Sequence, residues 1–333
     1  MPDLQQDSSP LGHCAGLIFG FVFKGGHGLE VRDETLGAAI ASGYDWVWLH
    51  LALSDHRARR FLEHYADCPD EAKKLVTAGG EERMQIHLTA SGGHGVLPDL
   101  EKDFDDEWLG PGRFGFWLDA RHLITARRHS LSAMELMREA VKGGLRPSDP
   151  AECLMELNLR YLEMVESRIL GLSRELDRIE DQVLAERAAL DRLPLGPLRR
   201  ELTRHTREFS GFRSAILRAK RNAVESPLSD WLPSLLQDVE DHDRDASALL
   251  DRARLIYEEV NTRISAVTNR SLSALTVIST LLPPPTFVVG AFGMNVGGLP
   301  WMQDKEGFYI CLGLCCLLVA ASYVLLRRFK ILP

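Results

Sequence analysis

Apolar residues are spaced differently in three successive parts of the chain. Up to about residue 150, short apolar runs rich in strand-forming residues alternate with segments of helical spacing. The strand-like runs lie at 17–25, 45–53, 83–91 and 113–128, and the helical segments at 55–66 and 132–144. From 151 to 270 helical spacing dominates, and beyond 270 the chain is almost free of charge. The pattern predicts a sheet covered by helices, then a helical region, then a part that lies in a different solvent.

Residue types at the helix ends support the two helices predicted in the first part. Ser54 is a candidate N-cap for the first helix. Ser132 is a candidate N-cap for the second, with Glu135 three residues on as in a capping box. Gly143 is the candidate stop of that second helix. We therefore expect two helices that begin just after these serines.

The region from 151 to 270 predicts long helices separated by two breaks. One helix runs from Ala151 to about Leu190, and two prolines and a glycine at 193–198 turn the chain back. A second break at 226–233 precedes the longest helix, which continues into the uncharged part of the chain. Its apolar stripe consists of Leu235, Val239, Ala246, Leu249, Ala253, Ile256, Val260, Ile264 and Val267. About fifty residues give a rod of roughly 75 Å, which is expected to pack against copies of itself because one chain cannot bury so long a stripe.

Two uncharged segments near the C-terminus are long enough to cross a bilayer core of about 30 Å. They run from Ser271 to Gln303 and from Gly307 to Leu326. The alternative, two buried helices of a soluble core, requires a large surrounding protein. We therefore predict transmembrane helices at 271–292 and 307–327. The first ten residues are acidic and lack the apolar stretch of a signal peptide, so the N-terminal part is expected to stay in the cytosol.

Basic residues predict the orientation of these two spans. Positive charge precedes the first span and follows the second, at Arg263, Arg270, Arg327, Arg328 and Lys330. The loop between the spans holds one lysine between two acidic residues. Because basic residues accumulate on the cytosolic side of a membrane, both termini are expected to be cytosolic.

The composition excludes several classes of protein. A formal net charge of -8 over 333 residues is unlike that of a basic nucleic-acid-binding protein, so no nucleic-acid partner is expected. The six cysteines contain no C-x-x-C pair and are expected to be reduced packing residues. The sequence contains no phosphate loop, G-x-S-x-G elbow or H-E-x-x-H motif, so we expect neither an enzyme nor a cofactor. A membrane-anchored scaffold or sensor is the alternative to a transporter.

One face of the first span is rich in hydroxyl groups and small residues. Steps of three and four residues define this pore stripe as Asn269, Leu272, Thr276, Ser279, Pro283, Thr286 and Gly290. Several copies with this face inward would form a narrow pore lined by hydroxyl oxygens and by the carbonyls that the prolines at 283–285 leave free. Small residues also suit close packing between membrane helices. The periodicity alone leaves both possibilities open.

The stretch AFGMNVGGLP at 291–300 favours the pore. The triplet Gly-Met-Asn lies at the outer end of the first of two C-terminal spans, after the P-x-T-F-x-x-G run from Pro284 to Gly290. In this position it resembles the signature of the CorA family of divalent cation transporters. The longer motif GMNVGG-x-PW, from Gly293 to Trp301, is most similar to the ZntB zinc-transporter branch. The resemblance extends over nearly the whole chain.

This resemblance implies a fold and an assembly. The fold is that of an α+β membrane protein: a cytosolic N-terminal α/β domain at 1–150, a cytosolic helical region with a stalk helix at 151–270, and two C-terminal transmembrane helices. An outer loop at 293–306 joins the spans, and a basic tail follows at 328–333. The assembly is a funnel-shaped homopentamer in the bacterial cytoplasmic (inner) membrane. Its first span lines the pore and its second lies outside.

The motif supplies a predicted selectivity filter made of Gly293, Met294 and Asn295. A ring of Asn295 amides can hydrogen-bond the water shell of a divalent ion without stripping it. Asp304 and Glu306 in the outer loop would raise the cation concentration at the entrance. They fit an ordinary solvated loop equally well, because exposed charges are screened.

Zinc as the transported ion rests on the resemblance, which implies proton-linked zinc uptake. A magnesium or cobalt channel of the same fold is the alternative. Zinc prefers imidazole and thiolate ligands, and the predicted pore contains neither, so the ion would remain largely hydrated. On the stalk, Asp241, His242 and Asp245 form a candidate regulatory metal site. A solvated charged face is the more common role of such a run.

Overall fold

The computed structural model describes residues 14, 16–65, 67–78, 82–102, 108–185, 193–222, 224–294, 299–301 and 306–328. Seven strands and nine helices lie within these ranges. The strands are β1 (Leu17–Lys24), β2 (His27–Val31), β3 (Trp46–Ala52), β4 (Gln85–Thr89), β5 (Gly92–Lys102), β6 (Trp108–Leu118) and β7 (His122–Arg127). The helices are α1 (Asp33–Ala41), α2 (His56–His64), α3 (Asp70–Ala78), α4 (Ser132–Lys142), α5 (Pro150–Leu184), α6 (Leu195–Arg221), α7 (Leu232–Leu281), α8 (Pro283–Phe292) and α9 (Gly307–Arg328).

The seven strands form one sheet in the order β2-β1-β3-β7-β6-β5-β4. Strands β3 and β7 pair in parallel, and the other neighbouring pairs are antiparallel. Alternate side chains of a strand point to opposite faces of the sheet, so one strand can contribute residues to two hydrophobic clusters. In β1, Phe21 and Phe23 enter one cluster and Val22 enters the other. The α/β architecture predicted for this part of the chain is confirmed.

Helices α4 to α7 complete the cluster on one face of the sheet, and α1 to α3 cover the other face. Leu154 of α5, Phe209 of α6 and Leu235 of α7 belong to the same buried cluster as Phe21. The predicted boundary at residue 150 therefore does not separate two cores. By contacts, one compact unit comprises Met1–Gln182 with Pro194–Arg254, and the other comprises Val183–Leu193 with Leu255–Pro333.

The long helix α7 differs from its prediction in one respect. It contains 50 residues, as the periodicity indicated. Its stripe from Leu235 to Val260 is nevertheless largely buried within the single chain, while Val267 is 64% exposed. The expectation that one chain cannot bury this stripe is therefore wrong up to Val260. The unburied part of the helix begins close to the membrane segment.

The elements that the sequence patterns missed are β2, α1, α3 and β5. Strand β5 begins with a run of glycines that resembles a loop, yet a Cβ atom at Gly95 would lie 2.0 Å from the Gln85 carbonyl oxygen. A Cβ atom at Gly92 would lie 2.2 Å from the Leu118 carbonyl oxygen. These glycines allow the neighbouring strands to approach, so they belong to the sheet and not to a turn.

The helix starts also differ from their predictions. The N-cap of α2 is Asp55, whose Oδ1 accepts a hydrogen bond from the Arg57 amide at 2.8 Å, and not Ser54. The N-cap of α4 is Leu131, and Ser132 is the first helical residue. Gly143 is confirmed as the C-cap of α4.

Candidate ion pathway

Two helices are long and apolar enough to cross a membrane. The first is continuous through α7 and α8, over Leu232–Phe292, and the second is α9. Only 6% of the most apolar window of each is buried inside the chain. A core helix of a soluble protein would be mostly buried, so the soluble-core alternative does not fit. Both apolar segments need a lipid or protein environment outside this chain.

The first span stays helical across its three prolines. The Leu282 amide donates to the Ile278 carbonyl at 3.2 Å, and the Thr286 amide donates to the Leu282 carbonyl at 3.1 Å. Between these bonds, the prolines at 283–285 have no N–H group to offer. The carbonyls four residues earlier, at 279–281, therefore lack their usual helical donors. This creates hydrogen-bond acceptors in the middle of the span.

The pore stripe lies on the exposed side of the first span. All seven of its predicted residues, Asn269, Leu272, Thr276, Ser279, Pro283, Thr286 and Gly290, are exposed in the single chain. Val288 is buried, and Leu281 lines an apolar groove with Cys315 and Val319 of α9. At about 100° per residue, the stripe is centred roughly opposite Leu281 and Val288. The polar face of the first span is therefore turned away from the second span.

Both threonine hydroxyls of the stripe donate hydrogen bonds to carbonyls of their own helix. Thr276 Oγ1 donates to the Leu272 carbonyl at 2.8 Å, and Thr286 Oγ1 donates to the Leu282 carbonyl at 2.7 Å. A hydroxyl that donates its one proton keeps its lone pairs for accepting. These exposed oxygens can therefore accept hydrogen bonds from water bound to a cation.

The predicted filter begins where the first span ends. Gly293 is the C-cap of α8, and its amide donates to the Val289 carbonyl at 2.9 Å. The Met294 amide donates to the Ala291 carbonyl at 3.4 Å, and the Met294 side chain is half exposed. Asn295 lies outside the described residues. The observed geometry is that of a helix terminus that leads directly to the asparagine.

Of the two predicted loop carboxylates, only one belongs to a described residue. Asp304 lies outside the described residues, and Glu306 is exposed immediately before α9. The Glu306 carbonyl accepts hydrogen bonds from the amides of Tyr309 and Ile310 at 3.0 and 3.2 Å. A carboxylate at the start of a helix is stabilised by the exposed N–H groups there. The backbone of Glu306 therefore begins α9, and its exposed carboxylate lies at a helix end where negative charge is favourable.

The candidate regulatory metal site on α7 finds no support. Arg244 donates to the Asp241 carboxylate, and His242 Nδ1 lies 2.6 Å from the Asp238 carbonyl oxygen. Asp245 is exposed. Within the described ranges, no group of three or more His, Cys, Asp or Glu side chains could hold a metal ion. The solvated-face interpretation fits more closely, because Asp241 and His242 have partners on their own helix and Asp245 is exposed.

The thiols of the N-terminal unit are buried packing residues. Cys14, Cys68 and Cys153 are free and inaccessible. Burial raises the pKa of the Cys68 thiol to about 12, and burial also raises the pKa values of Cys14 and Cys153. Because the thiolate is the form that binds metals and reacts, these groups are unsuited to either task.

Comparison with known proteins identifies the family. The chain matches the family described as CorA-like Mg2+ transporter protein over residues 43–328. The chain belongs to the CorA family. It is 27% identical over 316 residues to the "Divalent cation transporter CmaX" of Pseudomonas aeruginosa, covering 91% of this chain and 92% of that protein. It is 22% identical over 305 residues to the "Zinc transport protein ZntB" of Photorhabdus laumondii, covering 89% and 90%.

Solved structures of CorA-family proteins share the fold. The full-length CmaX protein matches with a TM-score of 0.77 at 24% identity, covering 95% of this chain and 98% of that one. The CorA magnesium transporter from Methanocaldococcus jannaschii matches with a TM-score of 0.67 at 14% identity, covering 93% and 97%. The recognition from the GMN motif and the two spans is confirmed. Members of the CorA family are divalent cation transporters and not enzymes, which confirms the prediction of a transporter.

Proposed function

We propose that this CorA-family chain carries divalent cations through a homopentameric pore in the bacterial cytoplasmic (inner) membrane. The observation that supports the pore best is the position of the stripe: all seven residues are exposed, and the stripe faces away from α9. Copies arranged around an axis with this face inward would leave α9 on the outside. That arrangement exposes oxygen acceptors to the axis and apolar side chains to lipid.

The acceptors of the stripe suit a hydrated ion. The hydroxyl oxygens of Thr276 and Thr286 and the carbonyls freed by the prolines are neutral and cannot bind a divalent cation as strongly as a carboxylate would. A hydrated cation presents water protons, and these acceptors can bind them. Weak contacts at successive levels let the ion enter and also leave.

A ring of Asn295 side chains is proposed as the filter at the outer mouth. Gly293 ends α8, so the chain leaves the helix two residues before this asparagine. An amide oxygen accepts hydrogen bonds from bound water without adding negative charge. Met294 and Gly293 would fix the turn that carries the amide, in keeping with their place at the helix end.

Zinc is the proposed cargo, supported by the motif GMNVGG-x-PW and by relatives named as zinc transport proteins. Magnesium or cobalt is the second candidate. It is favoured by the chemistry of the pathway, because the described part of the first span offers oxygen acceptors without imidazole or thiolate. We further propose that uptake is proton-linked. We also propose that both termini lie in the cytosol, because basic residues precede the first span and follow the second.

Metal uptake by reconstituted vesicles tests these proposals. Purified protein would be reconstituted, and the influx of zinc, magnesium and cobalt measured with and without a proton gradient. We expect zinc influx that rises when protons can enter with the metal. Influx of magnesium or cobalt alone would replace zinc with the second candidate. No influx of any divalent ion would contradict the pore.

The Asn295→Ala variant tests the filter in the same vesicles. It removes a ring of amide groups at one level of the pore, so we expect flux to be nearly abolished in an intact assembly. Val296→Ala, next to Asn295 in the sequence, is the matched control, because it changes no polar group. Normal flux through the Asn295→Ala assembly would show that the GMN turn is only a structural corner.

A further inference from the structure

A cavity lined by arginines lies in the cytosolic unit, between the start of β4 and helix α6. It has a volume of about 360 Å³, within the range of small-molecule sites. Four arginines and two serines contribute to it, and none of the described residues that line it is acidic. The lining residues are Arg83, Met84, Arg113, Arg207, Ser210, Gly211, Ser214 and Arg218. We call this the arginine cavity.

Two of the four guanidinium groups have no partner among the described residues. Arg113 is paired with Glu208 at 2.9 Å, and Arg218 donates one hydrogen bond to the Met84 carbonyl at 3.0 Å. Arg83 and Arg207 make neither a hydrogen bond nor an ion pair with any residue that the structure describes. Unpaired like charges around one cavity repel each other and leave many donors free. An anion would relieve the repulsion.

The charge of α6 supports this interpretation. The helix contains eight basic and two acidic residues, whereas the whole chain has a net charge of -8. Arg207, Ser210, Gly211, Ser214 and Arg218 recur at three- and four-residue steps along one face of the helix. At Gly211 an added Cβ would lie 2.9 Å from Met84 Cε, so the glycine leaves room for the Met84 side chain beside the helix. Sequence patterns missed this site because Arg83, which precedes β4, and Arg113 of β6 are far from α6 in the sequence.

We propose that the arginine cavity binds a small soluble anion that carries several phosphate groups. Guanidinium forks bind phosphate oxygens in pairs, and several of them around one cavity favour a multiply charged chain over a single phosphate. A second groove shares Arg218 with the cavity and is lined by Gln85, His87, Arg221 and Asn222. This groove adjoins the cavity at Arg218, and its polar side chains offer hydrogen-bond partners for a nucleoside attached to the phosphates.

Calorimetric titration of the full-length protein in mild detergent tests the proposal. The probes are sodium tripolyphosphate, ATP and inorganic phosphate, in metal-free buffer at physiological ionic strength. We expect saturable binding of tripolyphosphate at one site per chain, with inorganic phosphate at least tenfold weaker. Equal affinities for ATP and tripolyphosphate would assign the site to the phosphate chain alone, and tighter binding of ATP would assign it to a nucleotide.

Matched variants connect the binding to the cavity. The Arg83→Gln/Arg207→Gln variant removes the two unpaired guanidinium groups, and we expect it to weaken tripolyphosphate binding at least tenfold. The Arg174→Gln/Lys220→Gln variant removes two exposed positive charges outside the cavity and should change the affinity less than twofold. Ser214→Glu places a carboxylate at the cavity and should abolish binding.

The thermal unfolding profile of each variant establishes that it is folded before titration. Two results would overturn the proposal. One is the absence of saturable binding of tripolyphosphate and ATP at physiological ionic strength. The other is an equal loss of affinity in the cavity variant and in the control variant, because that would indicate attraction by overall charge only.

Discussion

At the scale of single residues, Asp99 shows a role that no local pattern reveals. Its fully buried carboxylate accepts hydrogen bonds from the amides of Ala133 at 2.8 Å and Met134 at 3.1 Å, at the start of α4. The side chain from β5 thus does what a serine N-cap was predicted to do. Burial raises the pKa of Asp99 to about 6, although the backbone hydrogen bonds oppose this rise.

We expect Asp99→Ala to lower the free energy of unfolding by about 1–3 kcal/mol, because it leaves buried amide groups without an acceptor. The folded pKa of Asp99 lies above the ordinary value of 3.8, so the folded protein binds this proton more tightly than the unfolded chain does. Its contribution to stability is therefore largest below about pH 4 and falls as the pH rises to about 6. Thermal unfolding of the full-length protein between pH 4 and 7 measures both effects.

Asp99→Asn is the comparison that isolates the titration. It keeps a carbonyl acceptor and has no proton to lose, so the difference in melting temperature between wild type and Asp99→Asn should change between pH 4 and 6. Asp149 is a matched exposed cap whose Oδ1 accepts from the Glu152 amide at 2.8 Å. Asp149→Ala should cost less stability than Asp99→Ala. A constant difference across this pH range would contradict the buried titration.

The outer-loop charges should affect affinity more than maximal flux. Neutralising them with Asp304→Asn/Glu306→Gln removes only a field that salt screens. We expect the metal concentration for half-maximal uptake to rise about two- to fivefold at low ionic strength and to change little at high salt. Vesicle uptake at two ionic strengths measures this. A large loss of maximal flux would instead make these carboxylates part of the pathway.

At the scale of elements, the boundary between α7 and α8 coincides with three prolines, and Leu282 at this boundary keeps helical backbone angles. The helix continues across Pro283, Pro284 and Pro285, since amides on both sides of the break keep their helical hydrogen bonds. The prolines remove the amide donors that would otherwise bond to the carbonyls of residues 279–281. An element can therefore remain helical while it offers backbone oxygens to a pore.

Replacing the three prolines with alanine should slow transport. The variant Pro283→Ala/Pro284→Ala/Pro285→Ala restores three amide donors, so the freed carbonyls become occupied within the helix. We expect maximal flux to fall roughly fivefold, which corresponds to about 1 kcal/mol of lost hydrogen bonding to the hydrated ion. Vesicle uptake measures the flux and circular dichroism measures the helix content.

Pro233→Ala is the control for this change. Pro233 lies in the first turn of α7, where a missing N–H group costs little. Its flux should equal that of the wild type. If the triple variant also transports at the wild-type rate, the carbonyls at 279–281 do not contribute to the pathway.

At the scale of the whole molecule, the surfaces that remain for other copies to cover lie in the membrane segments and not in the stalk stripe up to Val260. The stalk stripe up to Val260 is buried within one chain, but the membrane segments are not. Leu282, Phe287 and Val289, which do not belong to the pore stripe, are 59%, 78% and 62% exposed. Side chains of this kind can face lipid, whereas the polar stripe beside them cannot do so without cost. A ring of copies satisfies both faces at once.

We therefore expect the purified protein to be a pentamer in mild detergent. Native mass measurement gives the number of copies directly. Substitution of exposed stalk residues before Val260 should leave this number unchanged, because the stripe there is already buried within the chain. A monomeric or dimeric mass in an active preparation would contradict the pore.

The sequence by itself determined the class of the protein, because its strongest signals are local. Absence of charge over a membrane-length segment, a GMN triplet at the end of the first span, and three- and four-residue steps of small and hydroxyl side chains are all properties of neighbouring positions. The structure agrees: both spans are exposed, and all seven stripe residues face away from α9.

Only the tertiary structure decided the features that depend on distant segments. The glycines of β5 resemble a loop until the strands that approach them are known, and the capping role of Asp99 depends on the position of α4 next to β5. The buried stalk stripe and the arginine cavity likewise depend on chain segments far apart in the sequence. Periodicity states which residues share a face, but burial and charge compensation are set by what packs against that face.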